Sequence, residues 1–250
     1  MLNVGTNLFT SQKAVELAQN YSEGVYASVG LHPINFDTGL TKVKIDEDEA
    51  EESPFEKEFD YDKYKKLAQS KKVVAIGEIG LDYYWKPKTK KKLEDFKREQ
   101  DFLFHQEVRL AAELDLPVIL HCRMAHEDLL KSLKKLAAIY DKKLRGVVHC
   151  FTGDWEQAQR YMRLGFLLGF NGIIFKLKLS DVIKKTPLKK MLIETDCPYL
   201  SPPEYNQKRN DPLGVKFVAK EIARIKKIPL KEVADQTTKN ARKLFISISH

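Results

Sequence analysis

The chain has 250 residues, of which 43% are hydrophobic, and a formal net charge of +8. This length suits a single α/β barrel, and no apolar run approaches the roughly 18 residues of a membrane-spanning helix. The first ten residues lack a basic segment followed by an apolar core, so no secretory signal is expected. These features predict a cytoplasmic protein, without membrane contact, that folds as one domain over residues 1–250. A monomer is expected, although the sequence leaves the oligomeric state open.

Acidic residues are concentrated in one segment. Residues 46–62 contain ten carboxylates and one lysine, a net charge of −9, so the remaining residues sum to +17. This basic remainder suits a polyanionic partner such as DNA or RNA, although solvated surface lysines would give the same balance. Residues 37–60 show no apolar periodicity, and we interpret them as an acidic insertion on the surface.

Strands and helices are predicted to alternate along the chain. Apolar runs predict strands at residues 1–5, 25–29, 73–76, 116–120, 146–148, 166–170 and 191–193. Periodicity and capping residues predict helices at residues 11–21, 93–114, 127–140, 154–164, 213–226, 230–236 and 238–245. Thr10 or Ser11 is the expected cap of the first helix. Alternation implies a parallel sheet, and a closed barrel of this type has eight strands, so one strand is expected to be missing.

Side chains that commonly bind metal ions follow five of the predicted strands. They are His32, Glu78, His121, His149 and Asp196. In barrels of parallel strands the active site lies at the C-terminal ends of the strands, where all five are expected. Imidazoles and carboxylates suit Zn²⁺, Mn²⁺ or Mg²⁺, which activate water and stabilise charge on an attacked phosphoryl or acyl group. Metal-assisted hydrolysis is therefore the expected chemistry.

The three cysteines, Cys122, Cys150 and Cys197, each follow one of these candidate ligands directly. A Cys/His metal site is one reading, but alternation along a strand would turn the cysteines away from the histidines. We interpret them as buried free thiols. A nucleophilic serine site is not favoured, because no serine lies in a G-x-S-x-G turn.

Ordered motifs along the chain resemble those of the TatD-family deoxyribonucleases. They are GLHP from Gly30, GEIGLDY from Gly77, LPVILHCR from Leu116, GVVHCFTG from Gly146, LGFLLGFNG from Leu164, IETDCPYLSPP from Ile193, RNDP from Arg209 and TTKNARKLF from Thr237. The resemblance spans the chain except for the acidic insertion. It implies a (β/α)8-type barrel that uses divalent metal ions to remove nucleotides from DNA, mainly from 3′ ends.

The resemblance also implies roles for the candidate ligands. Glu78 is expected to bridge two ions of Mg²⁺, Mn²⁺ or Zn²⁺, one of them held by His121 and His149. Asp196 is expected to hold the other ion and to orient or deprotonate the attacking water. His32 matches a histidine near the scissile phosphate, which implies phosphate binding or proton transfer.

Four further residues are considered as candidate substrate contacts. Arg209 and Asn210 in the proline-rich loop are expected to contact phosphates, and Tyr83 or Tyr84 is expected to stack on a base. A purely structural role would explain each of these residues equally well.

The chain departs from the family pattern at its start. Family members open with a strand that bears an H-x-H pair of metal ligands, and no H-x-H occurs in this sequence. We interpret the sequence as an N-terminally incomplete version of a working enzyme. Two alternatives stay open: a related barrel hydrolase of small amide or ester substrates, and a catalytically impaired nucleic-acid-binding protein.

Overall fold

The computed structural model describes residues 1–40, 55–205 and 209–245, which form two compact units, Met1–Arg145 and Gly146–His250. Residues 41–54, most of the predicted acidic insertion, lie outside the described residues. Within the described ranges, no helix is both long enough and apolar enough to span a membrane.

The first unit alternates parallel strands with helices. Its strands are β1 (Leu2–Val4), β2 (Tyr26–Val29), β3 (Val73–Asp82) and β4 (Val118–Arg123). Its helices are α1 (Leu8–Gln19), α2 (Tyr61–Ala68), α3 (Lys90–Glu113) and α4 (His126–Tyr140). The four strands pair in chain order, and apolar side chains of β3 and α3 such as Ile76, Ile79, Leu103 and Phe104 are fully buried.

Strand β3 is longer than the sequence predicts. It was expected to end before Gly77, but it continues to Asp82, so Glu78 lies inside a strand instead of at its tip. Its register against β4 shifts between Ile76 and Ile79, which leaves an extra residue on β3 at this point. Such a bulge commonly bends a strand and redirects a side chain, and Glu78 lies within it.

The second unit contains three parallel strands in chain order within the residues that the structure describes. The strands are β5 (Gly146–Val148), β6 (Leu167–Phe170) and β7 (Met191–Ile193). The helices are α5 (Trp155–Arg163), α6 (Ser180–Lys185), α7 (Val215–Lys226) and α8 (Leu230–Phe245). The bounds of β5 and β7 are those predicted from the sequence.

Several helices differ from the prediction. Helix α1 begins earlier than expected, because Asn7 caps it by accepting the N–H of Thr10, which corrects the expected cap at Thr10 or Ser11. Helices α2 and α6 were not predicted. The two helices expected at residues 230–236 and 238–245 are one continuous helix, α8.

The C-terminal end of the acidic insertion is anchored to the first unit. Glu56 forms an isolated bridge with Phe36, and its carboxylate accepts the backbone N–H of Leu8 and the hydroxyl of Tyr64. This end of the insertion is therefore tied to α1 and α2.

Candidate metal centre

The first unit brings together three of the predicted residues, His32, Glu78 and His121. The Nδ1 atom of His121 lies 2.8 Å from Oε1 of Glu78, and the Nε2 atom of His32 lies 3.6 Å from the same oxygen. The two imidazole rings meet edge to face with centroids 4.2 Å apart. These three side chains, largely buried, form the first candidate cluster.

Close packing of β3 against β4 places His121 beside Glu78. Gly80 has a φ of +142°, and a Cβ atom at this position would lie 2.1 Å from the carbonyl oxygen of His121. Gly77 approaches Ile119 with similar closeness. Both glycines therefore permit the close approach of the neighbouring strand.

A fourth residue, Asp82, holds the far side of the His121 ring. Its Oδ2 atom lies 2.9 Å from Nε2 of His121 and accepts the Nε–H of Arg123 at 2.7 Å. Burial opposes ionisation of both groups. The hydrogen bonds with Asp82 and Glu78 nevertheless raise the pKa of His121 to about 9. The same hydrogen bond between Asp82 and His121 lowers the pKa of Asp82 to about 2. The first cluster therefore holds a protonated imidazole between two carboxylates, and Arg123 adds a second positive charge against Asp82.

The hydrogen bonds of His32 define its tautomer. Its Nδ1 atom accepts the backbone N–H of Ile34 at 3.0 Å, so in the neutral ring the proton is on Nε2. Burial is the main cause of the lowered pKa of His32, and the positive charge of His121 adds to the effect, so the ring stays neutral. A ring with one nitrogen engaged and the other protonated suits a hydrogen-bond donor better than a metal ligand.

The second unit repeats the same local design around His149. Its Nδ1 atom lies 2.9 Å from Oε1 of Glu194, and its Nε2 atom lies 3.3 Å from Oδ1 of Asp196. Glu194 also accepts the backbone N–H of Cys150 at 2.7 Å. Asp196 adopts a left-handed conformation with φ of +57°, which Asp tolerates better than most residues. This is the second candidate cluster.

The cysteines differ from the sequence interpretation at two positions. Only Cys122 is buried, while Cys150 is half-buried and Cys197 is exposed. Strand β5 ends at Val148, so the alternation of a strand does not reach Cys150, whose sulfur shares the cluster of His149 and Asp196. Burial raises the pKa of the Cys150 thiol to about 12, and the protonated thiol contacts Oδ1 of Asn171.

The tyrosine prediction is corrected in favour of the second of the pair. Tyr83 is buried at 4% exposure and packs beside Phe96, so it presents no ring to a substrate. Tyr84 is 54% exposed. Residues on successive positions of an extended chain face opposite sides, and the sequence alone did not indicate which of the two faces outward.

Asn210 stabilises the proline-rich loop through hydrogen bonds. Its amide group is buried and donates to the carbonyl oxygens of Thr195 and Tyr199, at 2.9 and 2.8 Å. Both amide hydrogens are used within the loop, so the predicted phosphate contact of Asn210 is corrected to a structural contact. Arg209 is exposed, and its contact with substrate stays a prediction.

Asp82 and Glu194 are functional residues that the sequence did not reveal, although both lie in the family motifs. Each is a carboxylate that engages one nitrogen of a histidine, while a second carboxylate engages the other nitrogen. The available signal was an acidic residue four positions after Glu78 and another two before Asp196. Their roles depend on ring orientation, which a sequence does not specify.

The donor chemistry of both clusters fits a divalent metal ion. Metal-binding histidines commonly donate their second ring N–H to a carboxylate, which fixes the tautomer of the ligand nitrogen. Asp82 stands in this position for His121, and Glu194 does so for His149. The nitrogen on the other side of each ring then faces a second carboxylate, Glu78 or Asp196 respectively.

Comparison with known proteins places these residues in a family. The family model described as "TatD related DNase" matches residues 1–246. The uncharacterized metal-dependent hydrolase YabD of Bacillus subtilis is 38% identical over 245 residues, which cover 97% of this chain and 85% of YabD. The 3′-5′ ssDNA/RNA exonuclease TatD of Pantoea ananatis is 30% identical over 257 residues, covering 98% of this chain and 87% of that protein.

A solved structure supports the same relationship. The crystal structure of YJJV, a TatD homolog from Escherichia coli, matches with a TM-score of 0.78 at 30% identity, covering 98% of this chain and 85% of that chain. With the seven parallel strands of the described residues, this match confirms the predicted fold class, a TIM-type α/β barrel fold of the metal-dependent hydrolases with one strand fewer. The family resemblance read from the motifs is likewise confirmed. The chain belongs to the TatD family of metal-dependent hydrolases.

Proposed function

We propose that this protein is a metal-dependent deoxyribonuclease that hydrolyses phosphodiester bonds of single-stranded DNA from the 3′ end. The observation that carries the proposal is the carboxylate–imidazole–carboxylate arrangement found in both units, Asp82–His121–Glu78 and Glu194–His149–Asp196. The name of the Pantoea relative, a 3′-5′ ssDNA/RNA exonuclease, supports a nucleic-acid substrate.

The proposed metal ligands are Glu78, His121, His149 and Asp196. A bound divalent ion would act as a Lewis acid, lowering the pKa of water and neutralising charge on the phosphoryl group. Water adds to phosphorus, and the phosphorus–oxygen bond to the leaving group breaks. Asp196 is the proposed acceptor of the proton released by the water, and the leaving oxygen takes up a proton from solvent.

The other residues of the clusters position these ligands and the substrate. Asp82 and Glu194 fix the orientation of the two ligand imidazoles. His32 is proposed to donate its Nε2 proton in a hydrogen bond to a phosphate oxygen, a role that agrees with its tautomer and with its lowered pKa. Arg209 is proposed as a further phosphate contact.

Cleavage of end-labelled single-stranded DNA by the purified chain tests the proposal. With Mg²⁺ or Mn²⁺ we expect a ladder shortened from the 3′ end, and we expect chelation with EDTA to abolish it. His149→Ala should lose cleavage. His105→Ala is the matched control, because His105 contacts Ser132 on α4, outside both clusters, and this variant should retain cleavage.

Other outcomes separate the competing functions. A chain that binds DNA but never cleaves it would be a nucleic-acid-binding protein. A chain that hydrolyses p-nitrophenyl esters but not DNA would be a related hydrolase of small substrates. Cleavage by His149→Ala at the rate of the unaltered chain would contradict the proposed metal centre.

A further inference from the structure

An exposed aromatic and cationic surface lies beside the first candidate cluster. The ring of Tyr84 is 54% exposed and follows the end of β3. The guanidinium carbon of Arg123 lies 4.4 Å from the centroid of this ring, and the indole of Trp85 meets it edge-on at 5.1 Å. We call Tyr84, Trp85 and Arg123 the Tyr84 platform.

The Tyr84 platform is held by the carboxylate that also holds His121. Asp82 accepts the backbone N–H of Tyr84 at 2.8 Å through Oδ1 and the Nε–H of Arg123 at 2.7 Å through Oδ2. The same Oδ2 atom lies 2.9 Å from Nε2 of His121. Asp82 therefore links Tyr84 to His121, a proposed metal ligand, through one hydrogen bond to each residue.

A run of lysines continues directly from the Tyr84 platform. Residues 83–93 contain five lysines and no acidic residue, a net charge of +5. All five lysines are exposed, and none of them forms a salt bridge within the described residues. They are Lys86, Lys88, Lys90, Lys91 and Lys92. Uncompensated positive charge of this density attracts a polyanion.

The combination of exposed ring and lysine run selects one kind of partner. Aromatic and guanidinium surfaces stack on nucleobases without regard to sequence, while lysines follow the phosphate backbone. A base in a duplex is already stacked on both faces, so an exposed ring favours a single strand. An acidic peptide would use the lysines but would gain little from the ring.

We propose that the Tyr84 platform and the lysine run of residues 86–92 form a subsite that binds unpaired nucleotides of a single strand near the phosphate to be cleaved. Tyr84 stacks on a base and the lysines contact the adjoining phosphates. The subsite rests on the proposed function in one respect only, its position beside the first cluster, and its binding can be measured without catalysis.

Fluorescence anisotropy with a labelled thymidine oligonucleotide in EDTA tests the subsite in the absence of cleavage. We expect Tyr84→Ala to weaken binding of the single strand by about tenfold, the loss that one stacked base would cause. Tyr84→Phe keeps the ring and should bind within about twofold of the unaltered chain. Phe102→Ala is the matched control, because Phe102 is an exposed ring of α3 outside the platform and should leave binding unchanged.

The salt dependence separates stacking from charge. Log affinity falls as log salt concentration rises, and replacing Lys88 and Lys91 by alanine should make this fall less steep. Tyr84→Ala should leave the steepness unchanged, because it removes no charge. A duplex of the same length should bind the unaltered chain more weakly than the single strand.

Two results would overturn the subsite: unchanged oligonucleotide affinity in Tyr84→Ala, or equal binding of duplex and single strand. Hydrolysis of bis(p-nitrophenyl) phosphate by the unaltered chain with Mn²⁺ reports separately on the proposed function. A chain that fails to hydrolyse this ester but loses DNA affinity in Tyr84→Ala would refute the enzyme and retain the subsite.

Discussion

Single residues of the candidate centre were predictable where the chemistry is local. His121, His149, Glu78 and Asp196 follow apolar runs, and that pattern alone marks them as candidate ligands. The choice between Tyr83 and Tyr84 was not predictable, because it depends on which face of the chain the core covers. The tautomer of His32 was equally inaccessible, since it depends on a backbone N–H two residues away.

The carboxylates behind the two histidines give the first residue-scale prediction. Asp82→Asn and Glu194→Gln keep the shape of the side chain but remove the charge that orients His121 or His149. We expect each to weaken Mn²⁺ binding by about tenfold to hundredfold, as measured by titration calorimetry. Asp101→Asn, a half-exposed carboxylate of α3, is the control and should bind Mn²⁺ like the unaltered chain. Unchanged affinity in both cluster variants would assign the two carboxylates to packing alone.

Glu107 gives a stability prediction at the same scale. This carboxyl on α3 is fully buried and accepts the N–H of Leu31 through Oε1, while its Oε2 has no hydrogen-bond partner among the described residues. Burial raises its pKa well above the ordinary value of 4.5, with the nearby Glu56 adding to the effect. The folded chain therefore keeps a proton on Glu107 that the unfolded chain releases above pH 4.5.

The sign of the pH dependence follows from this proton. As the pH rises above 4.5, Glu107 lowers the free energy of unfolding by about 1.4 kcal/mol per pH unit until its folded pKa is reached. Glu107→Gln keeps the bond to Leu31 and removes the titration, so it should be the more stable chain at pH 8 and nearly equal at pH 5. Urea unfolding at pH 5 and pH 8 measures the two stabilities.

Glu113→Gln removes a surface carboxyl of the same helix and should show no gain in stability at pH 8. The prediction would be contradicted if the stability of Glu107→Gln and that of the unaltered chain changed equally with pH.

At the scale of elements, the sequence indicated where most strands and helices lie but not how they begin or continue. Asn7 takes the cap of α1 because the Thr10 hydroxyl accepts its backbone N–H in return. Helix α8 continues through Thr237 because that buried hydroxyl donates to the carbonyl of Val233. Each outcome depends on one side-chain hydrogen bond, which weak local propensities do not reveal.

The close approach of β3 and β4 supplies a prediction about an element. Gly80→Ala would place a Cβ atom against the carbonyl of His121 at a φ of +142°. We expect it to lower the free energy of unfolding by at least about 3 kcal/mol, the combined cost of overpacking and backbone strain, and also to weaken Mn²⁺ binding. Gly24→Ala is the control, since φ there is +78° with open space around it, and about 1 kcal/mol is expected. Urea unfolding measures the loss of unfolding free energy in both variants. Equal losses would show that the contact between β3 and β4 at Gly80 accommodates a Cβ atom, and would contradict the prediction.

At the scale of the whole molecule, the alternation of strand and helix predicted that the strands are parallel, as they are within each unit. The irregularity of β3 was not predicted, because a bulge is set by pairing with β4 and not by the residues of β3 alone. The interpretation of the chain as a single domain of residues 1–250 stays a prediction, as does that of residues 37–60 as an acidic surface insertion.

Metal ions are expected to stabilise the whole molecule, because a ligand that binds the folded clusters and not the unfolded chain raises the free energy of unfolding. Mn²⁺ at about a hundred times its dissociation constant should add about 2.7 kcal/mol and raise the melting temperature by about 5–10 °C. Thermal unfolding with and without EDTA measures the rise. His121→Ala and His149→Ala should each reduce it, while His105→Ala should preserve it, since its imidazole bonds to Ser132. If both cluster variants kept the full rise, Mn²⁺ would be binding elsewhere, and neither histidine would be a ligand.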